Sequence, residues 1–85
     1  MNSMLRLTNI KTTSEYIEAH YIPEDSFEKG FVRLNNNAEV VDSITVKGYE
    51  KTYPLMASKA LKKLNDSLKN NPNYELPKEK VVMWY

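Results

Sequence analysis

The chain contains no cysteine and only two glycines, Gly30 and Gly48, in 85 residues. The absence of cysteine excludes disulfide bonds, thiolate catalysis and the usual structural zinc ligand sets. Two distant glycines cannot build the phosphate-binding loops of nucleotide hydrolases or dinucleotide-binding enzymes. Because a small secreted domain often needs disulfide bonds, the composition favours a reducing cytoplasm.

Long apolar runs and a strong excess of one charge are also absent. No segment approaches the ~18–20 apolar residues of a membrane span, and no basic start leads into an apolar signal sequence. The net charge is only +1, so the molecule as a whole has no strong field for nucleic acid or an anionic membrane. We therefore expect no membrane association.

What remains is an ordinary globular composition, with 41% apolar and 27% charged residues. That balance does not favour disorder, and the length suits one compact domain covering residues 1–85.

Apolar patterning predicts five short strands. In the second strand Ile17, Ala19 and Tyr21 fall on one face, while Tyr16, Glu18 and His20 fall on the other. The predicted strands are Met4 to Ile10, Glu15 to Ile22, Phe31 to Leu34, Glu39 to Val46 and Val81 to Tyr85.

The third and fourth strands are predicted to form a hairpin. Its turn is Asn35-Asn36-Asn37, because asparagine tolerates the positive φ that tight hairpins require. The pair Val40-Val41 indicates a bulge, and Val40, Ile44 and Val46 are expected to share a face.

One amphipathic helix of about 15 residues is predicted between the fourth and fifth strands. Thr52 is the better N-cap, with Tyr53 the alternative, and residues 70–72 (Asn-Asn-Pro) end the helix. Its apolar stripe consists of Ala57, Ala60, Leu61, Leu64 and Leu68.

These elements predict an α+β fold in the order β-β-β-β-α-β, a five-stranded and mainly antiparallel sheet with one helix packed on one face. The last strand has no polar alternate, which favours a position between two neighbouring strands. Since one helix covers only one face of a sheet, a second copy packing on the opposite face is expected to cover the other.

The candidate interface residues follow from this surplus of apolar surface. Tryptophan and tyrosine are enriched at interface hot spots, although strands of this kind more often simply complete a core. The candidates are Met83, Trp84 and Tyr85, joined by Tyr16 and His20 if the open sheet face is used.

Catalytic and metal-binding interpretations are weaker. His20 lies on one predicted face with Glu18 and Tyr16, but no nucleophile or second histidine accompanies it. Glu24, Asp25 and Glu28 lack calcium-loop spacing and are interpreted as a solvated turn.

The alternative function is nucleic-acid binding through a lysine-rich helix face formed by Lys59, Lys62 and Lys63. The charge is −3 up to Thr45 and +4 from Val46 onward, which also suits docking between copies. No arginine follows Arg33, although arginine is prominent in base contacts, and a lysine-rich face is usually a solvated one.

The sequence therefore predicts a small, non-enzymatic, cytoplasmic protein-interaction module. Its expected partner is a second copy or another protein. No catalytic residue, cofactor, metal or small-molecule ligand is predicted.

Overall fold

The computed structural model describes residues 3 to 84 as one five-stranded sheet and one helix. All strand pairs are antiparallel, in the order β4-β3-β2-β1-β5, and the helix packs on one face. The predicted α+β class is confirmed. The elements are β1 (Ser3–Thr12), β2 (Tyr16–Pro23), β3 (Gly30–Asn35), β4 (Val40–Ile44), α1 (Thr52–Asn70) and β5 (Lys80–Trp84).

The core lies between α1 and the sheet. Apolar residues occupy alternate positions of the inner strands, so their side chains all point to the face that the helix covers. The predicted inward face of β2 is confirmed, since Ile17, Ala19 and Tyr21 are all buried. The helix buries most of its predicted stripe, and Leu68 packs at its margin. The sheet supplies Leu5, Leu7, Ile17, Ala19, Tyr21, Val32 and Leu34, and the helix supplies Ala57, Ala60, Leu61 and Leu64.

The predicted bulge at Val40-Val41 is confirmed, because Asp42 pairs with Arg33 and Val40 pairs with Leu34. The extra residue changes which face of the sheet the side chains on either side of the bulge point to. Val40 lies opposite a core residue, whereas Ile44 lies opposite Phe31, on the face away from the helix. The prediction that Val40 and Ile44 share a face was therefore wrong, because a bulge interrupts the alternation of side chains.

The hairpin between β3 and β4 uses a different residue for its positive φ than predicted. In this turn the Ala38 amide donates a hydrogen bond to the Asn35 carbonyl, at 3.0 Å. Ala38 has φ 61°, whereas none of the three asparagines has a positive φ. Asn35 stabilises the turn with its side chain, which accepts hydrogen bonds from the Asn37 and Glu39 amides.

The helix is longer than predicted, at 19 residues from Thr52 to Asn70. Lys51 occupies the N-cap position and no side chain caps the helix, so the prediction of Thr52 or Tyr53 as the cap was wrong. The helix ends at Asn70, within the segment 70–72 that was predicted to end it. Packing of the apolar stripe on the sheet stabilises the helix without a side-chain cap.

β5 is an edge strand, which corrects the predicted position inside the sheet. It pairs with β1 alone, from Ser3 opposite Trp84 to Leu7 opposite Lys80. Val82 and Trp84 pack against the core, while Val81 and Met83 are more than half exposed on the other face. The continuous apolar run therefore does not correspond to burial on both faces.

Candidate interaction surface

The face of the sheet away from α1, called the open face below, is covered by no other element between residues 3 and 84. It is defined by the side chains that alternate with the buried ones and by their cross-strand neighbours. Its apolar members are Met4, Ile22, Phe31, Ile44, Val81 and Met83, and its polar members include Arg6, Thr8, Tyr16, Glu18, His20, Arg33 and Asp42.

The charges at the centre of the open face pair with one another. Arg33 Nη2 and Nε donate to Glu18 Oε1 at 2.9 and 3.1 Å, and the guanidinium lies 4.3 Å from the centre of the Tyr16 ring. The hydrogen bond from Arg33 to Glu18 raises the pKa of the guanidinium above its ordinary value. Because Asp42 also lies directly opposite Arg33, one guanidinium faces two carboxylates and this region carries one excess negative charge.

His20 packs on an aromatic neighbour instead of joining a catalytic group. Its ring centre lies 5.2 Å from that of Phe31, which is only 9% exposed although it lies outside the main core. Tyr16 and Glu18 share the open face with His20, as predicted, but Glu18 is engaged by Arg33. Neither groove described below is lined by these residues.

One corner of the open face is concave, and we call it the corner groove. It has a volume of about 220 Å³ and lies where β1, β2 and β5 meet the loop after β2. Met4, Ile22 and Val81 supply an apolar lining, while Arg6 and Asp25 bring opposite charges to the groove. A groove with this lining suits an apolar side chain surrounded by polar groups.

Phe27 is fully exposed, immediately after the loop residues 23–26 that line the corner groove. An aromatic ring in water forgoes the burial of roughly 150–250 Å² of surface that such rings contribute in cores and interfaces. Sequence reasoning missed Phe27, since it treated this acidic loop as a solvated turn. The available signal was a phenylalanine between polar residues at a position that no strand or helix can bury.

The same loop is fixed to the rest of the molecule through Glu24. Its carboxylate accepts hydrogen bonds from the Met4 amide at 2.8 Å and the Tyr53 hydroxyl at 2.6 Å. The Tyr49 hydroxyl donates to the Glu24 carbonyl at 3.0 Å. These bonds fix the loop that lines the corner groove relative to β1 and the start of α1.

Those hydrogen bonds also alter two pKa values. Burial raises the pKa of the Glu24 carboxyl, but the hydrogen bonds from Tyr53 and Met4 outweigh this effect, so its pKa is lower than usual. The hydrogen bond to Glu24, assisted by burial, raises the pKa of the Tyr53 phenol. The carboxylate is therefore the form of Glu24 that this structure stabilises.

A second groove, the edge groove, runs between α1 and β5 with a volume of about 260 Å³. Its apolar lining includes Met56, Ala60, Val82 and Met83, and three ammonium groups accompany it. No carboxylate is among its lining residues. The lysines are Lys59 and Lys63 from the helix and Lys80 from the strand.

The predicted interface residues near the chain end separate to different surfaces. Met83 is 60% exposed on the open face, whereas Trp84 is half-buried on the helix side, its ring centre 5.0 Å from that of Tyr53. Trp84 therefore completes the packing beneath α1, and Tyr85 lies outside the described residues. Of the two described residues of this group, Met83 is the one available to a partner.

The predicted lysine face also divides. Lys59 and Lys63 line the edge groove, but Lys62 is exposed outside it. Between residues 3 and 84, no cluster of three or more histidine, aspartate or glutamate side chains could hold a metal ion. Over the same part of the chain, no helix combines the length and apolar character required to cross a membrane.

Comparison with protein-family models, with curated proteins and with solved structures finds no match to this chain. The class of the protein is therefore defined by its own architecture, an α+β fold with one covered and one open sheet face.

Proposed function

We propose that the protein is a small, non-enzymatic, cytoplasmic interaction module that forms a homodimer through the open face. The observation that carries this proposal is the position of Phe27, fully exposed beside an apolar-lined groove on the same corner of the molecule. A projecting aromatic ring and a cavity in one neighbourhood are the elements of a self-complementary contact.

Symmetry explains why a second copy is the preferred partner. In a two-fold interface one patch meets the same patch on the other subunit, so each projection can enter the other copy's cavity. Phe27 follows directly on the loop residues that line the corner groove, so both parts lie in one patch. Two rings inserted in this way bury area at both ends of a single contact.

The charges around the groove are compatible with such a contact. Arg6 is 3.9 Å from Glu79 and both side chains are well exposed, so this pair contributes little and Arg6 is available to a partner. Asp25 supplies the opposite charge in the same groove. A two-fold arrangement can therefore place Arg6 of one copy near Asp25 of the other without repulsion.

The remaining open face supplies the contact area that two phenylalanines alone do not provide. Met4, Ile44, Val81 and Met83 are exposed apolar side chains on this face. The two longer molecular dimensions are 36 and 23 Å, so the face is of the order of the ~800 Å² that each partner buries in a stable interface.

The test is the molar mass in solution, measured by size-exclusion chromatography with light scattering. The wild-type protein is expected near twice its chain mass of 9.9 kDa. Phe27→Glu is expected near the chain mass, because its carboxylate would be desolvated in a groove that already contains the Glu24 and Asp25 carboxylates. Circular dichroism should remain unchanged, since Phe27 makes no core contact.

The matched control is Leu55→Glu, which places the same charge at an exposed apolar residue on the helix. It should leave the mass at the dimer value. A wild-type monomer at ~100 µM, or a Phe27→Glu dimer as stable as the wild type, would refute the proposal, since a micromolar interface is more than half associated at that concentration.

A further inference from the structure

The free edge of β5 offers backbone hydrogen bonds that no described residue uses. The Glu24 amide donates to the Met4 carbonyl at 3.1 Å, so the polar backbone groups of Met4 point toward β2. Successive residues of an antiparallel strand alternate in this direction, so those of Leu5 point toward β5, where Val82 lies opposite. The amides and carbonyls of Val81 and Met83 therefore point away from the sheet.

This edge lacks the protection found at the other side of the sheet. β4 is interrupted by the bulge at Val41, and bulges hinder the addition of a further strand. The register of β5 against β1 is continuous from Lys80 to Trp84. An uninterrupted edge is a template onto which an extended chain can pair.

The edge groove beside β5 specifies the side chains of such a chain. Its apolar lining, which includes Met56, Ala60 and Val82, accommodates apolar side chains, and its three lysines attract carboxylates. In an extended segment alternate side chains point in opposite directions. Because the apolar lining and the three lysines all lie on the helix side of β5, the apolar and acidic side chains that meet them must share the helix-facing side of the segment, at every second position.

We propose that the edge groove binds an extended peptide segment that adds to β5 as a sixth strand and directs both apolar and acidic side chains toward the helix. Two copies pairing β5 with β5 would bring two sets of three lysines together, so the charge disfavours self-association here. Nucleic acid is a poorer match, because the groove is lined by no arginine and no aromatic ring on which bases stack. The proposal does not depend on the homodimer.

The probe is a fluorescein-labelled nine-residue peptide with valine and glutamate alternating at the odd positions and threonine at the even positions, titrated with full-length protein and followed by anisotropy. The double variant Lys59→Glu/Lys63→Glu is expected to bind it at least about tenfold more weakly, because attraction becomes repulsion. Lys62→Glu makes an equal change per residue on the same helix but outside the groove, and should bind within about twofold of wild type. Equal loss in both variants would overturn the proposal in favour of a general basic surface.

Strand addition is tested separately from charge with two N-methylated peptides. One carries methyl groups on the valine and glutamate amides and the other on the threonine amides, so only one of them blocks the amides facing β5. That peptide should bind at least about tenfold more weakly, and hydrogen exchange at the Val81 and Met83 amides should slow when the unmodified peptide binds. Equal binding of both methylated peptides would overturn the proposal.

Two further outcomes identify other occupants. A single-stranded oligonucleotide that displaces the peptide and binds more tightly would assign the groove to nucleic acid. Protection of the Val81 and Met83 amides that rises with protein concentration in the absence of peptide would assign the edge to a second copy. Repeating the titration with Phe27→Glu distinguishes this failure from failure of the homodimer, because that variant leaves the edge groove unchanged.

Discussion

Glu24 joins three parts of the chain that are distant in sequence. Its hydrogen-bond partners Met4 and Tyr53 are 20 and 29 residues away, and Tyr53 in turn packs edge-on against Tyr49 and Trp84. Local sequence identifies Glu24 only as one acid in a polar turn. Its role depends on the order of strands in the sheet, which brings the start of β1 and the start of α1 to the same loop.

Replacing Glu24 with glutamine should lower the free energy of unfolding at pH 7 by about 1 kcal/mol, as expected for loss of charge-assisted hydrogen bonds at a partly exposed site. The folded-state pKa of Glu24 is lower than its unfolded value. Its stabilisation is therefore fully present above the unfolded pKa and is lost as the pH falls through the folded pKa. Urea denaturation between pH 7 and pH 2 measures both effects.

Tyr53→Phe provides the control for that experiment, because it removes one donor and leaves the carboxyl group in place. Its acid-induced loss of stability should be smaller than that of the wild type but still present. A Glu24→Gln protein with the same pH profile as the wild type would show that the carboxylate contributes nothing to acid stability.

The second prediction at this scale concerns Ala38, whose φ of 61° is costly for a residue with a β-carbon. Glycine adopts this conformation without steric penalty, although it loses more backbone entropy on folding. Ala38→Gly should therefore raise the free energy of unfolding by up to about 1 kcal/mol. Thermal unfolding followed by circular dichroism measures the change.

Asn37→Gly is the matched comparison in the same turn. Asn37 has no positive φ, so glycine there gains no relief of strain and should leave the stability unchanged or lower. A gain from Asn37→Gly, or a loss from Ala38→Gly, would contradict the turn geometry. The sequence predicted the hairpin but assigned the positive φ to the asparagines. A run of asparagines indicates a turn, but it does not determine which residue of the turn has the positive φ.

Among the elements, β2 and α1 were predictable because each shows a long regular period. Side chains alternate along all eight residues of β2, and the helix repeats its apolar stripe over several turns. β5 is too short for its period to be informative, and an unbroken apolar run fits an interior strand as well as an edge strand that packs on one side. Its position at the edge depends on pairing with β1, about 75 residues earlier in the chain.

The two faces of β5 should respond differently to truncation. Trp84→Ala removes the contact with Tyr53 beneath α1 and should lower the free energy of unfolding by about 2 kcal/mol, less than a fully buried tryptophan because Trp84 is half-buried. Met83→Ser removes an exposed side chain and should cost less than about 0.5 kcal/mol in the monomer.

These two variants are compared in the Phe27→Glu background, so that dissociation of a dimer does not add to unfolding. Urea denaturation followed by circular dichroism gives both free energies. Equal losses would contradict the assignment of Trp84 to the helix side and Met83 to the open face.

At the scale of the whole molecule, the sequence predicted a second, uncovered sheet face but not the concave corner within it. Tyr16 and His20 were predicted for that face and lie on it. Of the other three candidates, Tyr85 lies outside the described residues, Trp84 packs beneath the helix and Met83 is exposed. The corner groove draws on three strands and a loop, so no local pattern encodes it. The number of lysines in the sequence likewise predicted a basic helix. It did not show that two of these lysines line a groove together with Lys80 of β5.

The pairing of Ser3 with Trp84 brings nearly opposite ends of the chain together. During synthesis on a ribosome, the strands β1 to β4 emerge first and can form their local antiparallel pairs. The outer edge of β1 then stays unpaired until β5 has left the exit tunnel. A nascent chain that has exposed β1 to β4 but not β5 therefore displays an unpaired strand edge beside an incomplete core, a state in which contact with chaperones matters.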